Sequence, residues 1–526
     1  MIYVIGSGPA SVSAAQALLL KGHKVKMLDV GYELESNRQE LASKLRLTPF
    51  ENWLSEDLDP LRENMAPDVK GLPQKLTFGS DYPFRAPSEF VQLEQTNSDI
   101  LASHARGGLS NVWGANLLPF IQADIDDWPI SLRELAPYYK AVLNFVSFSG
   151  PRDDLTAIFP AVPAYQPLRQ SNQAQALIAD LAKHRSRLSE KGIHFGQSRL
   201  AIRTTPQNGD QGCIYCGMCM YGCPFDLIYS SRTTLNMLRA NQNFEYLPGY
   251  YVKRLEESGS EVKVHTLTLK SNTPQIFSAS KVFLGAGTVS SARIMLESLD
   301  AFDREIRIKD SQYFLVPLLR LQRSKGATAE RLQTLSQVAI ELLANSHTNR
   351  SLHLLIYTYN DLYTRALKKM LGISYKLFAP FASQILERLL VLQGYLHSDD
   401  SAQISLRIEK GSTDHLTKII LQGLPNARTK PIVNAALKQI ISQFSAFKAL
   451  PLLPLKHIGL PGKSYHAGAT FPMSAEPTGM QSDRLGRPVG FKNLHLIDAS
   501  CFTSVPATNV TFSVMANAYR IASEAS

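Results

Sequence analysis

The chain has 526 residues, 44% hydrophobic and 19% charged, with a formal net charge of +10. This length holds two or more domains, and the balance is that of a globular protein rather than a disordered or disulfide-stapled one. No apolar run approaches the roughly 18 residues of a membrane-spanning helix, and the scattered Lys and Arg, with no recognition-helix or zinc-finger pattern, speak against nucleic acid as a partner.

Residues 2–5 (Ile-Tyr-Val-Ile) read as a buried strand. Residues 9–21 read as a helix with Val12, Ala15 and Leu19 on one face and Gly22 as its stop. Residues 24–28 read as a second strand ending at Asp29. Between strand and helix lies Gly6-Ser7-Gly8-Pro9-Ala10-Ser11. Gly6 permits the tight turn and Gly8 lets the backbone approach a pyrophosphate, which the N–H groups and positive end of the helix would hold. Ser11 takes the place of the usual third glycine and is small enough for close packing. Asp29, 21 residues after Gly8, is placed to bind a ribose hydroxyl. A bound nucleotide follows; the motif does not separate FAD from NAD.

Residues 36–98 are expected to be irregular, and 101–120 hold a Gly-rich segment. Residues 131–147 and 172–191 look helical, and 246–269 alternate as a hairpin. Residues 281–285 read as a strand running into Gly285-Ala286-Gly287 and a helix to residue 297. The middle third changes character. Residues 312–323, 335–343, 351–358, 390–397 and 402–408 are strand-like around a helical region at 360–389, which predicts a separate antiparallel sheet with helical cover. In 360–393 apolar and basic residues alternate at helical spacing. The expected arrangement is a helix pair packed on the second domain; the other reading is a membrane-surface element or an apolar substrate entrance.

Four of the five cysteines fall within eleven residues: Cys213, Cys216, Cys219 and Cys223, followed by Pro224. The C-x2-C-x2-C-x3-C-P run is one that holds iron–sulfur clusters. A 4Fe–4S cluster is expected, or 3Fe–4S if Cys223 does not ligate; a zinc site, two disulfides and a loop without metal are the alternatives. Cys501 stands apart and reads as a small buried hydrophobe.

Near the C-terminus come His466, within Ser464-Tyr465-His466-Ala467-Gly468-Ala469, and then Asn509, within Ala507-Thr508-Asn509-Val510. The layout resembles the glucose–methanol–choline (GMC) oxidoreductases, FAD enzymes that oxidise alcohols. Five places carry the resemblance: the opening turn with Asp29, the Gly107-Gly108 loop, the 282–293 strand and helix, the His466 segment, and 498–509. It implies an α/β fold: a discontinuous, Rossmann-like FAD-binding domain (1–120, 196–300 and 484–526, with the cysteine loop at 211–225) plus an α+β substrate domain with an antiparallel sheet (121–195 and 301–483).

By the same resemblance, Gly6, Ser7, Gly8, Asp29, Gly107, Gly108, Ser110, Asn111, Gly285, Asp498 and Ala499 hold FAD. His466 is the proton-accepting base, and Asn509 hydrogen-bonds the reacting oxygen. The 107–113 segment is similar to that of pyranose oxidases, which link FAD to a histidine; Val112 stands at that place, so FAD is expected to be non-covalent. The cysteine loop resembles that of bacterial FAD/iron–sulfur sugar dehydrogenases. Ala469 and Val510 replace the family's usual Gly and Pro.

The expected function is therefore a dehydrogenase of a sugar or polyol, with electrons leaving through the cluster to a cytochrome, quinone or redox protein. The alternative is an oxidase, or a lipid or long-chain alcohol dehydrogenase, with a structural cysteine loop. With no basic-then-apolar leader at residue 1, the expected compartment is the cytoplasm, at a membrane surface if the basic chain docks there; export would need a partner subunit.

Overall fold

Ile2–Ile5 is apolar at every position because it is covered on every side. It lies in a five-stranded sheet in the order Leu494–Leu496, Lys281–Leu284, Ile2–Ile5, Val25–Asp29, Phe244–Pro248, all parallel. Parallel sheets need cover on both faces, so their strands carry continuous apolar runs rather than alternation. The helix Pro9–Leu20 supplies part of that cover and packs on the C-terminal helix Thr511–Ala525. The computed structural model describes all residues except 64–74, 161–164, 207–210, 344 and 414.

A three-stranded sheet (Tyr250–Ser258, Glu261–Thr268, Pro274–Ala279) and two larger, mostly antiparallel ones form the rest of the framework. One runs Ala467–Gly468, Ile306–Asp310, Gln403–Lys410, Thr417–Leu424, Val91–Thr96. The other runs Ala449–Pro451, Tyr313–Arg320, Leu389–Tyr395, Leu352–Tyr357, Val338–Leu342, Ile193–Gln197, with His457–Ile458 also paired to Tyr313–Arg320. The single antiparallel sheet expected for the middle third is thus two, with the 402–408 strand in a different sheet from the other four. Residues 246–269 also divide: Phe244–Pro248 joins the parallel sheet, and the hairpin is Tyr250–Ser258 with Glu261–Thr268.

The described residues of 36–98, with 64–74 lying outside them, are not irregular throughout. They contain the helices Ser36–Leu47 and Ser55–Arg62 and the edge strand Val91–Thr96. The expected helical spans are met by Leu132–Leu143, then Asn172–Ala182 with Arg185–Glu190, then Asp361–Leu371 with Tyr375–Leu386. Leu132–Leu143 opens on a full capping box, in which Ser131 and Glu134 satisfy each other's backbone N–H groups.

Candidate active site

Gly6 has φ +91°, and a Cβ there would lie 2.7 Å from the Gly285 carbonyl oxygen, so only glycine fits. Gly285 in turn leaves room for Ser11, whose Oγ a Cβ at 285 would meet at 2.4 Å. The Ser11 hydroxyl lies within hydrogen-bonding reach of two carbonyls, those of Ile5 at 3.2 Å and Gly285 at 3.1 Å. The close helix–strand approach usually made by the third glycine is made here by Gly285 on the neighbouring strand. Gly8 has nothing within 4 Å of its Cβ position, and no side chain caps the helix it begins. Free N–H groups therefore face open space at the positive end of a helix.

That space is a cavity of about 640 Å³ that runs from this turn to the C-terminal segments. Of the residues expected to hold FAD, Gly6, Ser7, Gly8, Asp29, Gly108, Ser110, Gly285, Asp498 and Ala499 line it. Gly107 and Asn111 lie outside the lining and act behind it. Gly107, at φ +90°, donates its N–H to Ser7 Oγ at 2.9 Å. Asn111 donates to the carbonyls of Arg106 and Gly108 at 3.0 and 2.7 Å, which clamps the Gly-Gly loop. Asp29 Oδ2 accepts from Ser7 and from Tyr246 at 2.9 Å, and burial pushes its carboxyl up to about 6. Asp498 is committed internally: it accepts from Gly287 N at 2.8 Å, Ser291 Oγ at 2.6 Å and Ser500 N at 2.9 Å. It fixes the turn before the helix Thr288–Ser298.

At the other end stand His466 and Asn509, 43 residues apart in sequence, with His466 Nε2 3.3 Å from Asn509 Nδ2. His466 immediately precedes the edge strand Ala467–Gly468, and Asn509 lies two residues before the C-terminal helix Thr511–Ala525. The His466 backbone is pinned from both sides: its N–H donates to Ser464 Oγ at 3.0 Å, and its carbonyl accepts from Ser311 N at 2.9 Å. Ser464 donates to Asp310 at 2.9 Å, and burial holds that carboxyl up at about 7. Tyr465 and Ala469 both take left-handed backbone, φ +58° and +61°. The left-handed turn is the reason glycine is expected at 469. Backbone strain of this kind concentrates at functional sites.

Desolvation, with a smaller contribution from His353, pushes the His466 imidazole down to about 3. It is therefore neutral at physiological pH, as a general base must be. His466 Nδ1 and Asn509 Oδ1 are buried without a partner, a sign of a site built to receive polar groups.

Sequence reasoning missed the row behind His466. Glu341, His353 and Tyr395 are directly opposite one another on three adjacent strands. Glu341 hydrogen-bonds His353 Nδ1, the His353 and Tyr395 rings are stacked 6.4 Å apart, and the Tyr395 ring lies 4.8 Å from His466. Three separate strands carry these residues, so no local motif links them. Lys75 was also missed: it lines the cavity, donates to the Trp113 carbonyl at 2.9 Å, and desolvation pushes its ammonium down to about 8.

The residues along the cavity fit FAD. A pyrophosphate suits the uncapped helix end, and the glycine cradle leaves the space it needs. Val112 lines the cavity where a histidine would be required for covalent attachment.

The cysteine run does not fit the expected cluster in the same way. Cys213, Cys216 and Cys223 are partly buried and Cys219 is buried, all four as free thiols. Among the described residues no group of three or more His, Cys, Asp or Glu is gathered as a metal-holding set. Burial first, and then the nearby charge of Cys219, pushes Cys213 up to about 12 and Cys223 up to about 11.

Residues 459–518, which carry both His466 and Asn509, match the family described as GMC oxidoreductase. The match covers this C-terminal segment of the chain. No curated protein matches the sequence. Among solved structures, pyridoxine 4-oxidase from Mesorbium loti has the same fold, with a TM-score of 0.59 at 15% identity over 99% of this chain and 98% of that one. The family match at the segment that carries both residues supports an FAD-linked oxidoreductase acting on CH–OH donors.

Proposed function

We propose that this chain is a GMC oxidoreductase that oxidises an alcohol whose CH–OH group is held between His466 and Asn509. The observation that carries the reading is one continuous cavity with a nucleotide-binding turn at one end and the His466–Asn509 pair at the other. Bound along the cavity, FAD would supply a hydride acceptor; Gly6, Gly8, Asp29, Gly108 and Ser110 would hold it. The protein's own part is proton handling and placement. One hydroxyl oxygen can reach both His466 Nε2 and Asn509 Nδ2, which are 3.3 Å apart. The neutral imidazole takes the hydroxyl proton at Nε2 while the Asn509 amide donates to the oxygen and fixes its direction. Tyr395 packs against the imidazole and keeps water from it.

The walls at this end favour an alcohol with an apolar or aromatic body. They include Leu315, Pro317, Val391 and Leu455. A sugar or polyol is the second reading, favoured by Asn360, Gln393 and Tyr357 in the same lining. The test is flavin content by absorbance, followed by dye-linked oxidation of an aromatic primary alcohol and of glucose. His466→Ala is expected to lower kcat about 10²–10⁴-fold with flavin retained; unchanged turnover refutes the assignment. A higher kcat/KM for glucose reverses the order of the two substrate readings.

Peroxide formed in air without dye makes the enzyme an oxidase. The iron–sulfur reading rests on cysteine spacing and requires the loop to gather its thiolates. Iron and acid-labile sulfide in anaerobically purified protein decide it, and their absence retires it.

A further inference from the structure

The helix Tyr375–Leu386 buries Ala382 and Leu386 but leaves four large apolar side chains in solvent. Leu377 is 80% exposed, Phe378 51%, Phe381 64% and Ile385 50%. Positions 377, 381 and 385 follow one another at four-residue spacing, and 378 lies beside them, so the four form a single stripe. Large exposed apolar patches on globular proteins mark interaction surfaces.

The charges around the stripe have one sign. From Leu362 to Leu386 there is no acidic residue, and Arg365, Lys368, Lys369 and Lys376 lie in that span, the three lysines exposed. The acidic residues at its two ends are neutralised internally. Asp361 accepts from Tyr221 and pairs with Arg365, and Glu387 pairs with Arg323 and accepts from Gly326 N.

The same elements border the catalytic cavity. Leu362, Tyr363 and Ala366 of the helix Asp361–Leu371 line it, and so does Leu455, which is 61% exposed and therefore stands at the mouth. Leu453 and Leu460, close by in sequence, are exposed as well.

We propose that this face docks on an anionic phospholipid bilayer, with the Tyr375–Leu386 stripe set among the acyl-chain ends, the lysines at the headgroups, and the cavity mouth opening onto the membrane. An apolar stripe with lysines beside it, Lys376 on the same helix and Lys368 and Lys369 in the last turn of the helix before it, suits a pair of helices that lies in the interface plane. The cationic, acid-free span complements an anionic leaflet. A protein seated over the mouth would close it, whereas a bilayer leaves it open to alcohols dissolved in the membrane. No helix among the described residues is long and apolar enough to cross a membrane, so the contact is peripheral.

The test is co-sedimentation of the flavin-loaded protein with vesicles of phosphatidylcholine, alone or mixed with phosphatidylglycerol. Wild type is expected to pellet with the anionic vesicles and to be released by salt. Two variants separate the contributions: Leu377→Ser/Phe378→Ser/Phe381→Ser/Ile385→Ser, and Lys368→Glu/Lys369→Glu/Lys376→Glu. Each should lose vesicle binding, the second by at least about fivefold for each lysine removed. Both should keep wild-type flavin content and activity on a small water-soluble alcohol, which shows that they fold. Failure of wild type to bind anionic vesicles overturns the proposal. So does equal binding by wild type and both variants. A wild-type dimer that the serine variant dissolves, with no vesicle binding, assigns the face to self-association instead and also overturns it.

Discussion

Acidification tests the placement of His466 most sharply. Desolvation takes its imidazole from the usual 6.5 down to about 3. At pH 5 an ordinary histidine is only about 3% neutral, whereas one titrating at about 3 is about 99% neutral. The two cases therefore differ by about thirtyfold in competent base at that pH. The assay is kcat/KM against pH from 4 to 8, by dye reduction, since this ratio reports the free enzyme's ionisations. The expected profile shows no His466 limb above pH 4. Asp310, held up at about 7 and joined to the His466 segment through Ser464, is the neighbour able to imitate one. Asp310→Asn removes that group and serves as the control. A fall in activity centred near pH 6.5 that persists in Asp310→Asn would refute the argument, because it would mean that the imidazole is solvated.

Asn509→Ala should lower kcat about 10²-fold, as expected for the loss of one preorganised donor, with flavin content unchanged; a change in KM alone would remove Asn509 from the transition state. Asp310→Asn should also alter stability. The native carboxyl binds its proton more tightly than the unfolded one, so wild-type stability falls as pH rises from about 4 to about 7. At full effect, the shift from 3.8 to about 7 corresponds to about 4 kcal/mol. Thermal unfolding should therefore show the variant gaining on wild type across that window and level with it at pH 4; a gap independent of pH would contradict this. Gly285→Ala forces a Cβ to within 2.4 Å of Ser11 Oγ and should cost about 1–3 kcal/mol in denaturant titrations. Adding Ser11→Gly should recover part of it, whereas additive losses would show that the two positions do not compete for space.

The nucleotide end of the site was legible because its determinants are local. Strand, glycine turn, helix and terminal acid follow one another within residues 2–29. His466 and Asn509 were legible through a resemblance and not through spacing, since only the folded chain brings their segments together. Ser36–Leu47 escaped notice because it buries only Ala42 and Leu45 and so has little apolar stripe to read. Val91–Thr96 is an edge strand whose polar residues face solvent, and its partner lies more than three hundred positions away. The exposure of the Tyr375–Leu386 stripe was not legible for a different reason. Periodicity shows that a helix has an apolar face but not what covers it.

The parallel sheet has a consequence in time. Its strands come from residues 2–5, 25–29, 244–248, 281–284 and 494–496, and the helix that packs on Pro9–Leu20 is the last element of the chain. During synthesis the first strand must wait until residue 496 has been made before its sheet is complete. Until then an apolar edge and an uncovered helix face stay exposed on the nascent chain, a state prone to aggregation. A premature stop anywhere upstream of residue 494 would leave the early βαβ unit unfinished, however intact its own sequence. Such chains are expected to fail as a whole and to be cleared, without leaving behind a smaller nucleotide-binding fragment.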